Sequence, residues 1–168
     1  DWLPKNYNGH YFGEVTLKKA FAKSLNSVAV QLAQNLDRKD IIKTANRLGI
    51  MSQIDDQDLT IVLGTTQVSL FELTAAYATI ANEGWAVIPY AITQIGDGEG
   101  NNLYSRNTSG LGSVISQEAG DYIKEVMREA VENGTGKNAN IADNIYGKTG
   151  TTQNFRDAFF VGFDDEIV

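Results

Sequence analysis

Cysteine is absent from these 168 residues and histidine occurs once. The first absence excludes a disulfide framework and thiolate metal ligands, and the second leaves little from which to build a zinc site. The redox compartment stays open. Positive charge is scarce as well: 14 Lys+Arg against 21 Asp+Glu leave a net charge of −7. No Lys/Arg block stands out, which argues against a nucleic-acid partner. There is no run of about 18 apolar residues and no signal-like amino terminus, so this segment is expected to make no membrane contact and to carry no export signal of its own. Two prolines and an apolar content of 42% describe an ordinary globular chain of about one domain. A chain of this size buries roughly two thirds of its unfolded surface, enough for a proper core.

Residues 1–15 are rich in aromatics and turn formers, with Asn8-Gly9 the clearest turn, and read as a covered loop or short extended segment. From Thr16 the apolar spacing becomes helical through Leu17, Ala20 and Phe21, resuming at Val28, Val30, Leu32 and Ala33 after the polar interruption at 23–27. A second helix is expected from Lys39 to Leu48, started by Asp37 and stopped by Gly49. Ser69 and Glu72 form a capping box for a helix running to about Asn82, with Leu73, Ala76, Tyr77 and Ile80 inward. Residues 85–115 read as an extended insert, with Val87-Ile88, 91–95 and Leu103-Tyr104 as short strands around a tip at 97–100. Ser116 caps a long helix whose Ile123, Val126, Met127, Ala130 and Val131 follow the core-facing spacing, ending at Asn133-Gly134. After a loop at 135–144, strands are expected at about 145–152 and 158–163. The fold class is α+β, with helices at about 16–84 and 116–133 and part of an antiparallel sheet.

Gly147-Lys148-Thr149 admits two readings. A phosphate-binding loop requires G-x-x-x-x-G-K-[ST] after a buried strand and before a helix. Here Ala142 takes the first glycine position, 138–143 is not strand-like, and β-patterned sequence follows. The other reading sets Lys148-Thr149-Gly150 on a strand facing Ser24-Leu25-Asn26 in a loop between helices. Lys-Thr-Gly and Ser-x-Asn are two of the three signatures of active-site serine enzymes that act on D-alanyl peptides or β-lactams. Taken singly, Ser24 and Asn26 are ordinary helix caps, Lys148 a solvated strand lysine, and Gly150 a bulge.

The surrounding text joins the two tripeptides. Residues 16–26, Leu63-Gly64, Glu72 to Ala78, Glu132-Asn133-Gly134-Thr135-Gly136, and 147–152 through 156–163 together resemble the transpeptidase domain of class A (bifunctional) penicillin-binding proteins, in order and over nearly the whole chain. The resemblance implies a β-lactamase/transpeptidase-like fold. It also implies a serine acyl-enzyme that cross-links D-Ala-D-Ala stem peptides, binds β-lactams and uses no cofactor or metal. The domain would be extracytoplasmic, anchored through an upstream segment and fused to a glycosyltransferase. Ser24 would relay a proton to the departing amine, and Asn26 would hold the substrate backbone and the lysine of the nucleophile motif. Lys148 would supply positive charge for the substrate carboxylate. The hydroxyls of Thr149 and Thr151 would bind that carboxylate, Gly150 would leave room beside the substrate, and the Thr151 N–H would form half of an oxyanion hole.

None of the serines has a lysine three positions later, so the family's S-x-x-K nucleophile is not among these residues. The chain is therefore expected to be part of a domain, 1–168, inactive alone and prone to self-associate or to pair with the remainder. The alternatives are a serine β-lactamase of the same fold, against which the continuation 151–157 argues, and a noncatalytic scaffold.

Overall fold

The computed structural model describes residues 2–107, 110–151 and 158–168. The helices are α1 (Leu17–Ala22), α2 (Asn26–Gln34), α3 (Arg38–Arg47), α4 (Leu70–Ala81) and α5 (Gln117–Glu132). The strands are β1 (Gln94–Gly96), β2 (Asn102–Ser105), β3 (Tyr146–Thr151) and β4 (Ala158–Phe163), with 3₁₀ turns at Leu59–Leu63 and Lys137–Ala139. Strands β1 and β2 pair as one antiparallel hairpin and β3 and β4 as another. Among the described residues, no helix is long and apolar enough to cross a membrane.

The core lies where α4 and α5 meet the β3–β4 pair. Ile80, Met127 and Phe163 are buried there, with Phe21, Tyr77, Ile123 and Tyr146 packed around them. Helix α5 buries Val126, Met127, Ala130 and Val131 as its spacing predicts, while Ile123 is half-buried. Each fully buried Val or Met side chain contributes roughly 1.5–3 kcal/mol. Arg128 on α5 anchors the start of β3: its guanidinium donates to the Tyr146 hydroxyl at 2.7 Å and to Asn144 Oδ1 at 2.8 Å. Tyr146 stacks on Phe163 at 5.2 Å between ring centroids. Gly147 stands opposite Gly162 in the register. A Cβ on either would fall within 2.7 Å of the Phe160 ring, which lies across both backbones. That close approach, and not phosphate binding, accounts for the first glycine of Gly147-Lys148-Thr149.

The helix signals hold. Asp37 caps α3 by accepting from the Lys39 N–H, Ser116 caps α5, and both halves of the Ser69–Glu72 capping box are formed. Glu72 does more than cap. Its carboxylate also accepts from the N–H groups of Met51 and Ser52 and from the Ser52 hydroxyl, at 2.9, 2.9 and 2.8 Å. These hydrogen bonds, Ser69's foremost, pull its pKa from 4.5 to about 2. A depressed carboxylate stabilises the fold above its unfolded pKa and ceases to as pH falls through the folded value. Glu72→Gln should therefore lower the thermal midpoint at pH 7 and flatten its fall between about pH 5 and pH 2. Identical acid limbs in the two proteins would contradict the clamp.

Two expectations fail, and a third is refined. The segment at 2–12 is not a covered loop: Trp2, Leu3, Tyr7 and Tyr11 are each more than half exposed (56%, 75%, 84% and 61%), and the arm is pinned instead through Asn6, 4% exposed. Val87-Ile88 is not a strand. The Val87 N–H is taken by the hydroxyl of Thr79, a buried α4 residue, and Pro89 brings no N–H to a ladder. The loop at 135–144 contains the 3₁₀ turn Lys137–Ala139, which follows the return of Gly136 N–H to Ala130 O at 2.9 Å. The far end of the expected strand 145–152, at Thr152, lies outside the described residues.

Candidate active site

The loop between α1 and α2 carries Ser24, whose φ of 54° is left-handed. The Leu25 N–H bonds Ala20 O at 2.9 Å and the Ser24 N–H bonds Phe21 O at 3.0 Å, while Leu25 is buried. This is a Schellman motif closing α1 with serine at the position that usually takes glycine. A non-glycine residue held there costs on the order of 1–2 kcal/mol, which a plain helix stop would avoid.

Strand β3 brings Lys148 to this loop. Its Nζ donates to Ser24 Oγ at 2.8 Å and to Thr149 O at 2.9 Å, and it sits 5.8 Å from the centre of the Phe21 ring. Lys148 is half-buried and makes no ion pair among the described residues. Burial lowers its pKa from the ordinary 10.5. An ammonium without a carboxylate, beside a hydroxyl at hydrogen-bond distance, can meet an anion and can exchange a proton through that hydroxyl.

Ser24, Asn26, Lys148, Thr149, Gly150 and Thr151 all line one groove of about 1410 Å³, whose other wall is apolar, with Leu63, Leu73, Tyr77 and Ile123. A shallower depression of about 950 Å³ beside α3, with Lys39, Lys43, Asp55 and Asp56, contains none of the six. The ordinary readings of these residues do not survive. Helix α2 has Leu25 as its N-cap with no side-chain cap bond, so neither Ser24 nor Asn26 serves as one. Gly150 pairs in unbroken register with Phe159, so it is not a bulge. A Cβ on Gly150 would meet nothing within 4 Å, so that stretch of strand borders open space.

Asn26 sits in the first turn of α2, its Nδ2 donating to Lys5 O at 2.9 Å. Its Oδ1 has no hydrogen bond among the described residues, and the residue borders the groove. The loop is braced from behind by Asn6, whose Oδ1 accepts from the N–H and the hydroxyl of Ser27, both at 3.1 Å. Asn6, Phe21 and Thr135, which bonds Thr149 Oγ1 at 2.6 Å, were given no role in the site from sequence. A polar residue early in an aromatic arm is a faint signal for the first. Side chains alternate along β3, so Lys148 and Thr149 leave opposite faces of the strand, yet both border the groove because the strand runs along its rim. The continuation 152–157, which sets the chain apart from serine β-lactamases, lies outside the described residues.

A family model described as Penicillin binding protein transpeptidase domain matches residues 2–165. Over 169 residues the chain is 36% identical to penicillin-binding protein 1A of Aquifex aeolicus, covering 100% of this chain and 23% of that protein. The crystal structure of penicillin-binding protein 1A from Haemophilus influenzae superposes with a TM-score of 0.84 at 23% identity, over 96% of this chain and 30% of its own. The PonA1 protein from Mycobacterium tuberculosis, solved in complex with penicillin V, gives 0.83 at 24% identity, over 96% and 48%. These superpositions place the fold among the transpeptidase domains. The chain belongs to the penicillin-binding protein transpeptidase domain family. It spans about a quarter of the length of the curated relatives it matches, 23% and 24% for the first two.

Proposed function

We propose that these residues supply the proton-relay and carboxylate-binding walls of a peptidoglycan D,D-transpeptidase that forms a serine acyl-enzyme and is acylated by penicillins. The observation that carries this reading is the 2.8 Å bond from Lys148 to Ser24 across 124 positions of sequence, made by a serine held in a backbone conformation that favours glycine. The strain is explained if the hydroxyl is needed there.

In the acylation step, the attacking serine belongs to the family's S-x-x-K motif, which these residues do not contain. The carbonyl carbon gains a bond to that oxygen, whose proton passes to the lysine of the same motif, and loses its bond to the D-alanine nitrogen, which must receive a proton as it departs. Ser24 Oγ already accepts from Lys148, so its own proton is free to donate to that nitrogen, and Lys148 restores it. The ammonium and the hydroxyls of Thr149 and Thr151 hold the substrate's terminal carboxylate, and Asn26 Oδ1 accepts from the peptide N–H. The Thr151 N–H donates to the developing oxyanion, a contribution typically on the order of 10²–10³ in rate. A neighbouring stem-peptide amine then takes the acyl group by the reverse sequence. The parent protein is extracytoplasmic and membrane-anchored, with a glycosyltransferase domain alongside.

Fluorescent penicillin tests this reading. The full-length protein should be labelled covalently, and residues 1–168 produced alone should not be. A full-length protein that stays unlabelled would contradict the function, and a labelled 168-residue chain would contradict the assignment of roles.

A further inference from the structure

Glu132-Asn133-Gly134-Thr135-Gly136 takes no part in the chemistry above, yet it touches both walls of the site. The Thr135 N–H donates to Ala22 O at 3.0 Å, two residues before Ser24, and Lys23 Nζ donates to Asn133 O at 2.7 Å. The turn fits this closely against α1 because residue 134 is glycine. A Cβ there would press on the Ala22 carbonyl oxygen and stand 2.7 Å from Ala130 Cα. On its other side, Thr135 Oγ1 lies 2.6 Å from Thr149 Oγ1. Together with the Lys148–Ser24 bond these contacts close a ring that runs from Ala22 through Ser24, Lys148, Thr149 and Thr135 back to Ala22.

We infer that Thr135 is a positioning residue that turns the single proton of the Thr149 hydroxyl toward the carboxylate of the substrate. The inference rests on the transpeptidase reading. An ionised carboxylate only accepts, and a hydroxyl has one proton to give. Thr149 borders the groove and Thr135 does not. When a carboxylate occupies the groove, Thr149 donates to it, and the 2.6 Å contact then requires Thr135 to be the donor to Thr149. Without that partner the Thr149 hydroxyl loses both the donor that orients it and the polarisation that strengthens its outgoing bond. The backbone tie to Ala22 places the Thr135 hydroxyl relative to Ser24, so carboxylate binding and proton relay share one support.

The test uses the full-length protein with benzylpenicillin and with its methyl ester, which lacks the carboxylate charge. Thr135→Val keeps the shape and the N–H and removes the hydroxyl, Thr135→Ala removes it a second way, and Thr135→Ser keeps it. Losing one neutral hydrogen bond, at the upper end of its net worth, corresponds to about ten-fold in rate. Thr135→Val and Thr135→Ala should therefore slow acylation by the free acid about ten-fold and leave the ester unchanged. Thr135→Ser should restore the native preference for the acid. Equal slowing of acid and ester, or an unchanged acid-to-ester ratio in both hydroxyl-less variants, overturns the inference and leaves the transpeptidase reading standing. A native full-length protein that benzylpenicillin does not acylate overturns the reading and the inference together.

Discussion

Ser24→Gly in the full-length protein should slow acylation by benzylpenicillin on the order of 10²–10³-fold while leaving the thermal midpoint close to native. Two local effects oppose each other in the fold. Glycine relieves the left-handed strain at φ 54°, on the order of 1–2 kcal/mol, at the expense of a more flexible unfolded chain. It also removes the hydroxyl that accepts from Lys148, a bond worth about 0.5–1.5 kcal/mol net. The sum is close to zero, so a large loss of rate would be chemical in origin. Ser24→Ala makes the same deletion without relieving the backbone and should be less stable than Ser24→Gly at the same activity. Stopped-flow acylation and thermal denaturation on the three proteins decide the matter. Native-like acylation by Ser24→Gly would remove Ser24 from the mechanism.

Lys148→Met should cost a similar factor, on the order of 10²–10³, chiefly because it deletes the ammonium that restores the Ser24 proton, on the same path as Ser24. Met keeps an unbranched apolar stem of similar length while losing the ammonium that sits 5.8 Å from the Phe21 ring centre. The pH dependence has a definite sign. Burial lowers the pKa of Lys148 from 10.5, so between the folded value and 10.5 the unfolded chain binds more protons than the native one. Stability attributable to this group therefore rises with pH across that window. The native protein should show this rise between its depressed pKa and pH 10.5, and Lys148→Met should not. Native acylation should decline over the same alkaline range as the ammonium is lost, a limb absent from the variant. A native alkaline profile superimposable on that of Lys148→Met would show that Lys148 does not titrate in the working site.

What was legible in the sequence is what local chemistry encodes. Capping residues announce their own partners a few positions away, so Asp37, Ser69 with Glu72, and Ser116 located three helix starts without tertiary information. The stripe on α5 likewise follows from one side of the helix being buried. Val87-Ile88 misled because its apolar, β-branched composition is equally suited to a covered irregular segment, and the partner of the Val87 N–H is a threonine side chain eight positions back. The pairing of Ser24 with Lys148 could be anticipated only through family resemblance, since nothing periodic links residues 124 positions apart. The left-handed Ser24 was hidden because its motif is ordinarily read from glycine, and here glycine is missing. Thr135 and Asn6 act through a few hydrogen bonds to distant segments, for which composition carries no signal.

The most direct test of the central claim, that Ser24 and Lys148 work as one unit in acylation, is a double-mutant cycle on the acylation rate of the full-length protein. Two groups on one proton path are grossly non-additive. The account predicts that Ser24→Gly/Lys148→Met is no slower than the slower single variant, within about three-fold. Rates that multiply, so that the double variant loses the product of both single losses, would show that the two residues act independently and would contradict it.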